Sequence, residues 1–584
     1  MPRPARAPAP VAVFGTCLFL MACSHRAPVM PDETGATPDL GLDALLLPDG
    51  PLGDMGVPEV CRDDQTSWTL HKDPRGNFSL VVQQGVTVTQ VSAASAGAAE
   101  SAAGLNFTGV AGLVATRPST AANPAQEVAT IQQQLLNSLG GQGGLAVRAS
   151  GSSGVSAEGL PTVVEVIWDI TSTSEVEPGY LRNLVMAAAL SRPISALSNL
   201  PGPVTTASYK QVVKMAVTLR PGQAVVSAAV ANLADYENIN TSLAFMVDDL
   251  SNGTAAAKAG KQPVFECDVQ AIATKPVADI IWIVDESGSM NDNRQDIVNN
   301  ANKFFSKALA AGLDFRMGVA GMKKPGAGVE LGKFCSDGNG AASDDGGEDR
   351  FLLPHEQETF SACVKNPPYY EGGSEHGLSH GYHAIKRHLP RAAGSSTRVR
   401  TNAHLAVIYV TDETAQELKE GSSDFFGMKG FLNYKDYKKT NCQLDSAKQA
   451  QMETFLQPIV ELYTDAKAKV HLIGGTCQNS CNAEIPYGYR ELVDGFGGQV
   501  GEVCQHDLSA TLQVIIDTIN ASASPRTLKH VPISSTLAVE ANGLRLERSR
   551  IQGYIYNASS NSLTFINVKM PKGAIVTASY RRFM

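Results

Sequence analysis

DIIWIV, residues 279–284, is a mostly apolar run that continues directly into DESGS, residues 285–289. A short apolar run without polar alternation is typical of a strand buried on both faces of a parallel sheet. In open α/β sheets the loops at the carboxyl ends of such strands line the binding crevice. The sequence therefore predicts that one carboxylate and two hydroxyls, from Asp285, Ser287 and Ser289, lie together at this crevice.

Downstream of this strand, strand-like apolar runs alternate with amphipathic helical patterns up to about residue 521. We expect further strands at 314–321, 405–411 and 469–474, and helices at 294–311, 375–389, 446–463 and 508–520. This alternation predicts a doubly wound, mostly parallel α/β sheet of the Rossmann kind. A long insertion at 323–370 precedes the second of these helices, and long insertions in such folds are often functional.

Three motifs in this region resemble the von Willebrand factor A family. DESGS matches Asp-x-Ser-x-Ser, the first motif of that family's metal-ion-dependent adhesion site, and the family adds a Thr before a later helix and an Asp after the fourth strand. Ser374 and Asp412 stand at those two places, and Glu375 beside Ser374 is an additional candidate ligand. The resemblance implies a von Willebrand factor A domain over residues 271–524, with metal ligands at Asp285, Ser287, Ser289, Ser374 and Asp412.

Ligands of this kind predict a hard divalent cation. Carboxylate and hydroxyl oxygens suit Mg²⁺, Mn²⁺ or Ca²⁺ and not zinc. Mg²⁺ takes about six oxygens and keeps several waters, so a site with few carboxylates leaves one position for an acidic side chain of a protein partner. By resemblance, the chain is expected to act in metal-bridged adhesion or assembly and not as an enzyme. Its plan is similar to that of adhesion and gliding-motility lipoproteins of myxobacteria.

The N-terminus predicts export to the cell envelope. Arg3 and Arg6 precede an apolar run at 11–20 that is too short to span a bilayer, and the run ends in LMAC at Cys23, which resembles the bacterial lipobox. We expect a signal peptide at 1–22, a lipid anchor at Cys23, a disordered tether at 23–60 and an outer-membrane location, on the periplasmic or cell-surface side. The net charge of -9 argues against a nucleic-acid partner.

Eight cysteines remain after Cys17 in the signal and Cys23 at the anchor, and an even number in an exported chain favours disulfides. They are Cys61, Cys267, Cys335, Cys363, Cys442, Cys477, Cys481 and Cys504. The first two bracket the N-terminal region, and the next two are expected to close the insertion. The last four are expected on the carboxyl rim of the sheet, where three pairings stay open and Cys504 should pair with Cys477 or Cys481.

The flanking regions carry no chemical motif that we recognise. Residues 61–270 mix predicted helices at 125–139 and 180–190 with strands, which indicates an α+β domain of unknown role. Residues 525–584 alternate without helices. They predict a small β domain, or strands that pack against an earlier domain.

Two alternative functions remain. His376, His380 and His383 fall on one face of a predicted helix with a spacing able to bind zinc, as in a hydrolase, although Gly377 stands where such metalloproteases keep a glutamate base. The other alternative is a structural envelope lipoprotein that keeps the same scaffold and binds no metal.

Overall fold

In the computed structural model, DIIWIV lies within the strand Val277–Val284, whose side chains are almost completely buried from Ala278 onward. The residues described all belong to one unit, Asp39–Met584. They are 45–46, 61, 63, 68–93, 96–151, 156–160, 162–204, 207–238, 243–272, 275–339, 346–369, 375–422, 426–437, 444–476, 481, 483–505, 507–524, 526–570 and 573–584.

Strands and helices are numbered here in chain order. The N-terminal region contains β1 (Leu45–Leu46), β2 (Trp68–Lys72), β3 (Ser79–Gln83), β4 (Thr87–Ala93), β5 (Ser101–Phe107), β6 (Val110–Pro118), α1 (Pro124–Leu139), β7 (Gly143–Gly151), β8 (Thr162–Val176), α2 (Pro178–Ala189), β9 (Leu197–Ser198), β10 (Ser208–Arg220), β11 (Gln223–Asn232), α3 (Leu233–Glu237), α4 (Leu243–Ser251), β12 (Ala256–Ala257) and β13 (Pro263–Ala271).

The middle region contains β14 (Val277–Val284), α5 (Asn291–Ala310), β15 (Asp314–Ala320), α6 (Gln357–Lys365), α7 (Gly377–His388), β16 (His404–Val410), α8 (Tyr434–Tyr437), α9 (Ser446–Ala466), β17 (Ala468–Gly474), α10 (Tyr489–Phe496), β18 (Gln499–Glu502) and α11 (Ser509–Ala523). The C-terminal region contains β19 (Ala538–Ala541), β20 (Leu544–Leu546), β21 (Gly553–Asn557), β22 (Ser562–Ile566), β23 (Val568–Lys569) and β24 (Ile575–Phe583).

The five strands of the middle region run parallel in the order β15-β14-β16-β17-β18. Their apolar side chains are buried on both faces. One face packs against α7, α9 and α10, and the other against α5, α6 and α11. Covering both faces explains why DIIWIV carries no polar alternation.

The sheet does not end at β18, and here the predicted fold class is wrong. β18 pairs antiparallel with β7, and the sheet continues through β8, β10, β11, β6, β5, β4 and β9 in antiparallel pairings. The described strands thus form a mixed, mostly antiparallel sheet of 13 strands, and not a doubly wound parallel sheet flanked by separate α+β and β domains. Apolar periodicity indicates that a strand is buried, but not which distant strand pairs with its edge.

Buried polar contacts hold the seam between β18 and β7. The side chain of Glu502 accepts a hydrogen bond from the Val147 N–H at 2.8 Å, and the Thr511 hydroxyl on α11 donates to the Arg148 carbonyl at 2.8 Å. Glu502 is fully buried. Leaving such a group unpaired would cost about 1–3 kcal/mol, so these contacts favour the joined sheet.

The antiparallel half of the sheet is also covered on both faces, by α1 and α2 on one and by α4 on the other. The helix predicted at 125–139 is present as α1. Asn123 caps it by accepting a hydrogen bond from the Gln126 N–H at 3.0 Å, and Gly140 ends it with φ 58. A left-handed residue at this position is what glycine provides at low cost.

The insertion covers the outer edge of β15. Cys335 N–H donates to the Val319 carbonyl at 2.8 Å, and Met317 and Leu352 pair antiparallel. An open edge strand presents unpaired backbone groups to other chains, so covering it protects the sheet.

The C-terminal strands pack against the earlier part of the chain, as one of the two interpretations expected. β24 lies between β13 and β19. Buried Asp249 on α4 accepts hydrogen bonds from Arg548 and from Ser534, both at 2.7 Å. Within the segment expected to be a tether, β1 pairs in parallel with β23.

Three disulfides are present among the described residues, and two of them, Cys335–Cys363 and Cys481–Cys504, agree with the pairings expected from the sequence. The three are Cys61–Cys267, Cys335–Cys363 and Cys481–Cys504. The third settles which cysteine pairs with Cys504. Cys442 and Cys477 lie outside the described residues, as do Cys23 and the signal peptide.

Candidate metal centre

Asp285 and Asp412 follow neighbouring parallel strands, β14 and β16, at their carboxyl ends. The sheet pattern continues into both loops, because the Asp285 N–H donates to the Val410 carbonyl at 3.0 Å and the Thr411 N–H donates to the Ile473 carbonyl at 3.0 Å. Both aspartates therefore leave the sheet at the same edge, which is where the sequence placed them.

A chain of hydroxyl groups connects the two loops. The Ser287 and Ser289 hydroxyl oxygens lie 2.9 Å apart, and the Ser289 hydroxyl donates to Asp412 Oδ1 at 3.3 Å. The Ser287 N–H donates to Asp285 Oδ1 at 2.7 Å. Four of the five ligands expected from the family resemblance are thus brought together.

The four residues differ in their access to solvent. Asp285 is 0% exposed and Ser287 is 6% exposed. Ser289 is exposed and Asp412 is half-buried. Any ligand that reaches this cluster from outside therefore meets Ser289 and Asp412 first, with Asp285 below them.

Burial dominates the electrostatics of the cluster. Desolvation raises the pKa of Asp285 to about 6, although hydrogen bonds from Ser287 and Thr411 favour its charged form and the negative charge of Asp412 disfavours it. Burial also raises the pKa of Asp412, and the carboxylates of Glu413 and Glu484 raise it further. A nearby cation would stabilise the charged form of such a buried carboxylate.

Two residues that support Asp285 were missed in the sequence. The Thr411 hydroxyl donates to Asp285 Oδ2 at 2.7 Å. Arg294, 1% exposed, donates from Nη1 to the carbonyls of Asp285 and Ser287 at 2.6 and 3.0 Å. The position of Thr411 directly before Asp412 was a usable signal, whereas the contact of Arg294 depends on how α5 turns back over the loop.

The third expected motif lies at the boundary of the described residues. Ser374 is outside them. Glu375 is buried, and its carbonyl accepts a hydrogen bond from the Gln416 N–H at 3.3 Å. Burial raises the pKa of Glu286 well above its usual value, and the negative charge of Glu375 is a smaller cause in the same direction. Glu286 in turn accepts a hydrogen bond from the Met322 N–H at 2.7 Å.

The donor set fits a hard divalent cation and not a soft metal. It consists of two carboxylates and two hydroxyls, the oxygen ligands that Mg²⁺ prefers while it keeps several waters. Among the residues that the structure describes, no group of three or more His, Cys, Asp or Glu side chains is placed to hold a metal ion. The candidate centre thus relies on hydroxyl ligands beside its aspartates.

Of the three histidines in the zinc alternative, His380 is bound by backbone groups. The Gly332 N–H donates to His380 Nδ1 at 3.3 Å, and His380 Nε2 contacts the Lys323 carbonyl at 2.8 Å. Both ring nitrogens are therefore engaged by the backbone. Burial lowers the pKa of His376 and of His380 to about 4, so both are neutral at pH 7.

Comparison with known proteins gives no family for this chain, because no family model and no curated protein matches it. Among solved structures, the open conformation of the pilus adhesin SpaC from Lactobacillus rhamnosus GG shares 13% identity at a TM-score of 0.29, over 56% of this chain and 44% of that one. Proximal thread matrix protein 1 from the mussel byssus shares 16% identity at a TM-score of 0.23, over 44% of this chain and 49% of that one.

A third solved structure, CyanoP from Synechocystis sp. PCC 6803, has 12% identity and a TM-score of 0.20, over 36% of this chain and 99% of that one. Likeness at these scores carries no argument about fold or function. The described helices include none that is both long and apolar enough to cross a membrane.

Proposed function

We propose that this chain binds Mg²⁺ or Mn²⁺ through Asp285, Ser287, Ser289 and Asp412, and that the cation binds an acidic side chain of a partner protein. The observation that carries the proposal is the continuous contact from Asp285 through the two serines to Asp412, at the edge where two parallel strands end. We regard the protein as an adhesion or assembly factor and not as an enzyme.

The burial pattern supports this role. Asp285 lies beneath the surface with a raised pKa, so a cation beside it would relieve the cost of burying its charge. Ser289 and Asp412 are accessible, and Mg²⁺ retains exchangeable waters. An acidic group of a partner would replace one of those waters on the accessible side.

The test is isothermal titration of the full chain with Mg²⁺ and with Mn²⁺. We expect the wild type to bind at millimolar concentrations or below, and Asp285→Ala and Asp412→Ala to lose at least tenfold in affinity, because each removes half of the ligand charge. Asp465→Ala, which removes an exposed aspartate of α9, is the matched control and should bind like the wild type.

Pull-downs from membrane extracts with and without EDTA complete this test. The partner should be lost both in EDTA and with the two aspartate variants. If the wild type binds neither cation, the proposal is wrong and a structural, metal-independent envelope role takes its place.

We further propose that the chain is anchored to the outer membrane through Cys23. The support is the LMAC sequence alone, which resembles a lipobox. Mass spectrometry of the mature N-terminus should show an acylated cysteine. An unmodified N-terminus at Ser24 or later would contradict the anchor without affecting the metal centre.

A further inference from the structure

The Cys481–Cys504 disulfide lies at the edge of the sheet that carries the candidate metal centre. Cys481 follows β17 and Cys504 follows β18, and their Cα atoms are 5.5 Å apart. Both strands end at the same edge as β14 and β16, because all are parallel neighbours. The disulfide therefore joins two loops on the rim that carries Asp285 and Asp412.

The loop on the Cys504 side is bound to the helix that follows the DESGS motif. The Asn293 side-chain amide, in the first turn of α5, donates to the Val503 carbonyl at 2.6 Å. Val503 is adjacent to Cys504, and its N–H donates to the Gly474 carbonyl at 2.9 Å. This contact links the disulfide to the element that starts just after Ser289.

The loop on the Cys481 side is bound to Asp412. The Glu484 N–H donates to the Asp412 carbonyl at 2.8 Å, and Glu484 Oε2 accepts from the Thr414 N–H at 3.1 Å. Lys419 holds Glu484 at 2.9 Å and Glu413 at 2.7 Å. The second candidate ligand loop is thus held from the other end of the same disulfide.

We propose that the Cys481–Cys504 disulfide is a positioning clamp for the metal centre: it keeps the Asn293 contact and the Glu484 contact at a constant separation, and through them the Ser289 and Asp412 loops. This inference rests on the proposed function. A cross-link restricts the relative motion of the loops that it joins, and groups that orient metal ligands commonly contribute tenfold or more to affinity.

The clamp is distinct from the other disulfides. Cys335 and Cys363 are fully buried within the insertion. Cys61 and Cys267 resemble the clamp in exposure, because Cys61 and Cys481 are both exposed and Cys267 and Cys504 are both half-buried. However, Cys267 lies on β13, which belongs to a different sheet. That pair is therefore a matched control.

The experiment compares Mg²⁺ titrations of the wild type, the double variant Cys481→Ser with Cys504→Ser, and the control Cys61→Ser with Cys267→Ser. We expect the clamp variant to lose about tenfold in affinity and the control to stay within about twofold of the wild type. Circular dichroism in EDTA confirms that each protein is folded at the titration temperature.

A second variant tests the clamp without removing a disulfide. Asn293→Ala deletes only the contact to Val503, and we expect about a fivefold loss of affinity, the equivalent of one hydrogen bond. Asn293→Gln keeps the amide donor and should restore part of the loss. If Asn293 only stabilised the fold, the two variants would change the stability of the protein, but their Mg²⁺ affinities would not follow this order.

The outcomes separate the two proposals. If the wild type binds Mg²⁺ and the clamp and Asn293 variants bind it equally well, the clamp is wrong and the proposed function stands. If the clamp and control variants lose affinity equally, a general effect of removing disulfides explains the result and the clamp is again wrong. If the wild type binds no cation, both proposals fail together.

Discussion

Arg294, on α5, stabilises the loop that carries Asp285 and Ser287 by donating hydrogen bonds to its backbone. Its guanidinium is buried and donates to the carbonyls of Asp285 and Ser287, and also to the Asn291 side chain at 2.6 Å. These contacts fix the backbone of the DESGS motif in the conformation in which the Ser287 hydroxyl meets the Ser289 hydroxyl. Binding several acceptors at once requires the fixed fork of N–H donors of a guanidinium, and the ammonium group of lysine has no such fork.

We therefore expect Arg294→Lys to lower the free energy of unfolding by about 1–3 kcal/mol, because a buried carbonyl loses its partner. Metal affinity should fall by about tenfold in the same variant. Urea denaturation in EDTA and Mg²⁺ titration measure the two effects. Arg545→Lys, at an exposed position on β20, is the control and should change the stability by less than about 0.5 kcal/mol. Wild-type behaviour of Arg294→Lys in both measurements would refute this role.

At the scale of elements, the insertion acts as a cover for β15. Two backbone contacts lie along the edge that the sheet would otherwise expose: Cys335 contacts Val319, and Leu352 contacts Met317. The Cys335–Cys363 disulfide spans 28 residues and is buried against the layer of α5 and α6. The described part of this insertion thus covers the outer edge of β15, and the functional role expected from its length stays a prediction.

Replacing both Cys335 and Cys363 by Ala should lower the free energy of unfolding by about 3–4 kcal/mol, as expected for a closed loop of this length. Amide hydrogens of β15 should also exchange faster, since the cover is then less constrained. Urea denaturation and hydrogen exchange test the two statements. Leu353→Ser, at an exposed site of the same insertion, should leave both unchanged. An unchanged urea midpoint in the double variant would count against the cover.

At the scale of the whole molecule, a group of basic residues lies near the seam, at the opposite end of the strands from the candidate centre, with His471 buried and His404 and Lys469 half-buried. His471 on β17 accepts the Gln499 N–H at 3.1 Å through Nδ1. Burial lowers its pKa well below the usual value, and Lys469 and His404 lower it further. The pKa of His404 is about 3, for the same main reason, with added repulsion from Lys469 and Arg391.

These shifts predict acid sensitivity. Below about pH 6.5 the unfolded histidines bind protons that the folded ones do not, so the free energy of unfolding should fall with pH by about 1.4 kcal/mol per unit for each histidine until its folded pKa is reached. The stability that these neutral histidines contribute is therefore present above pH 6.5 and lost toward pH 3. Urea denaturation between pH 7 and pH 4 measures this slope.

A double variant, His404→Gln with His471→Gln, should show a flatter dependence on pH than the wild type. Gln451→Asn is the control, because it changes an exposed side chain of α9 that does not titrate and should leave the slope as it is. Identical slopes for the wild type and the double variant would show that other groups cause the acid sensitivity.

Local sequence was sufficient for those features that depend on a few neighbouring residues. Burial of DIIWIV on both faces and the presence of the helix α1 follow from short patterns, because the spacing of apolar residues is a local property. The end of a buried strand predicted that Asp285, Ser287 and Ser289 lie together, and the resemblance to the von Willebrand factor A motifs added Asp412 to that cluster.

The pairing of distant strands and the partners of buried side chains depend on the tertiary structure. Pairing of β18 with β7 joins strands about 350 residues apart, and a strand pattern does not encode its distant neighbour. The backbone contacts of His380 and the contact of Arg294 with the Asp285 loop likewise arise only when helices are packed in place. Side-chain type is written in the sequence, but the partner of a strand edge, of a histidine or of an arginine is supplied by distant backbone groups, and that is the physical reason why the fold class could not be predicted.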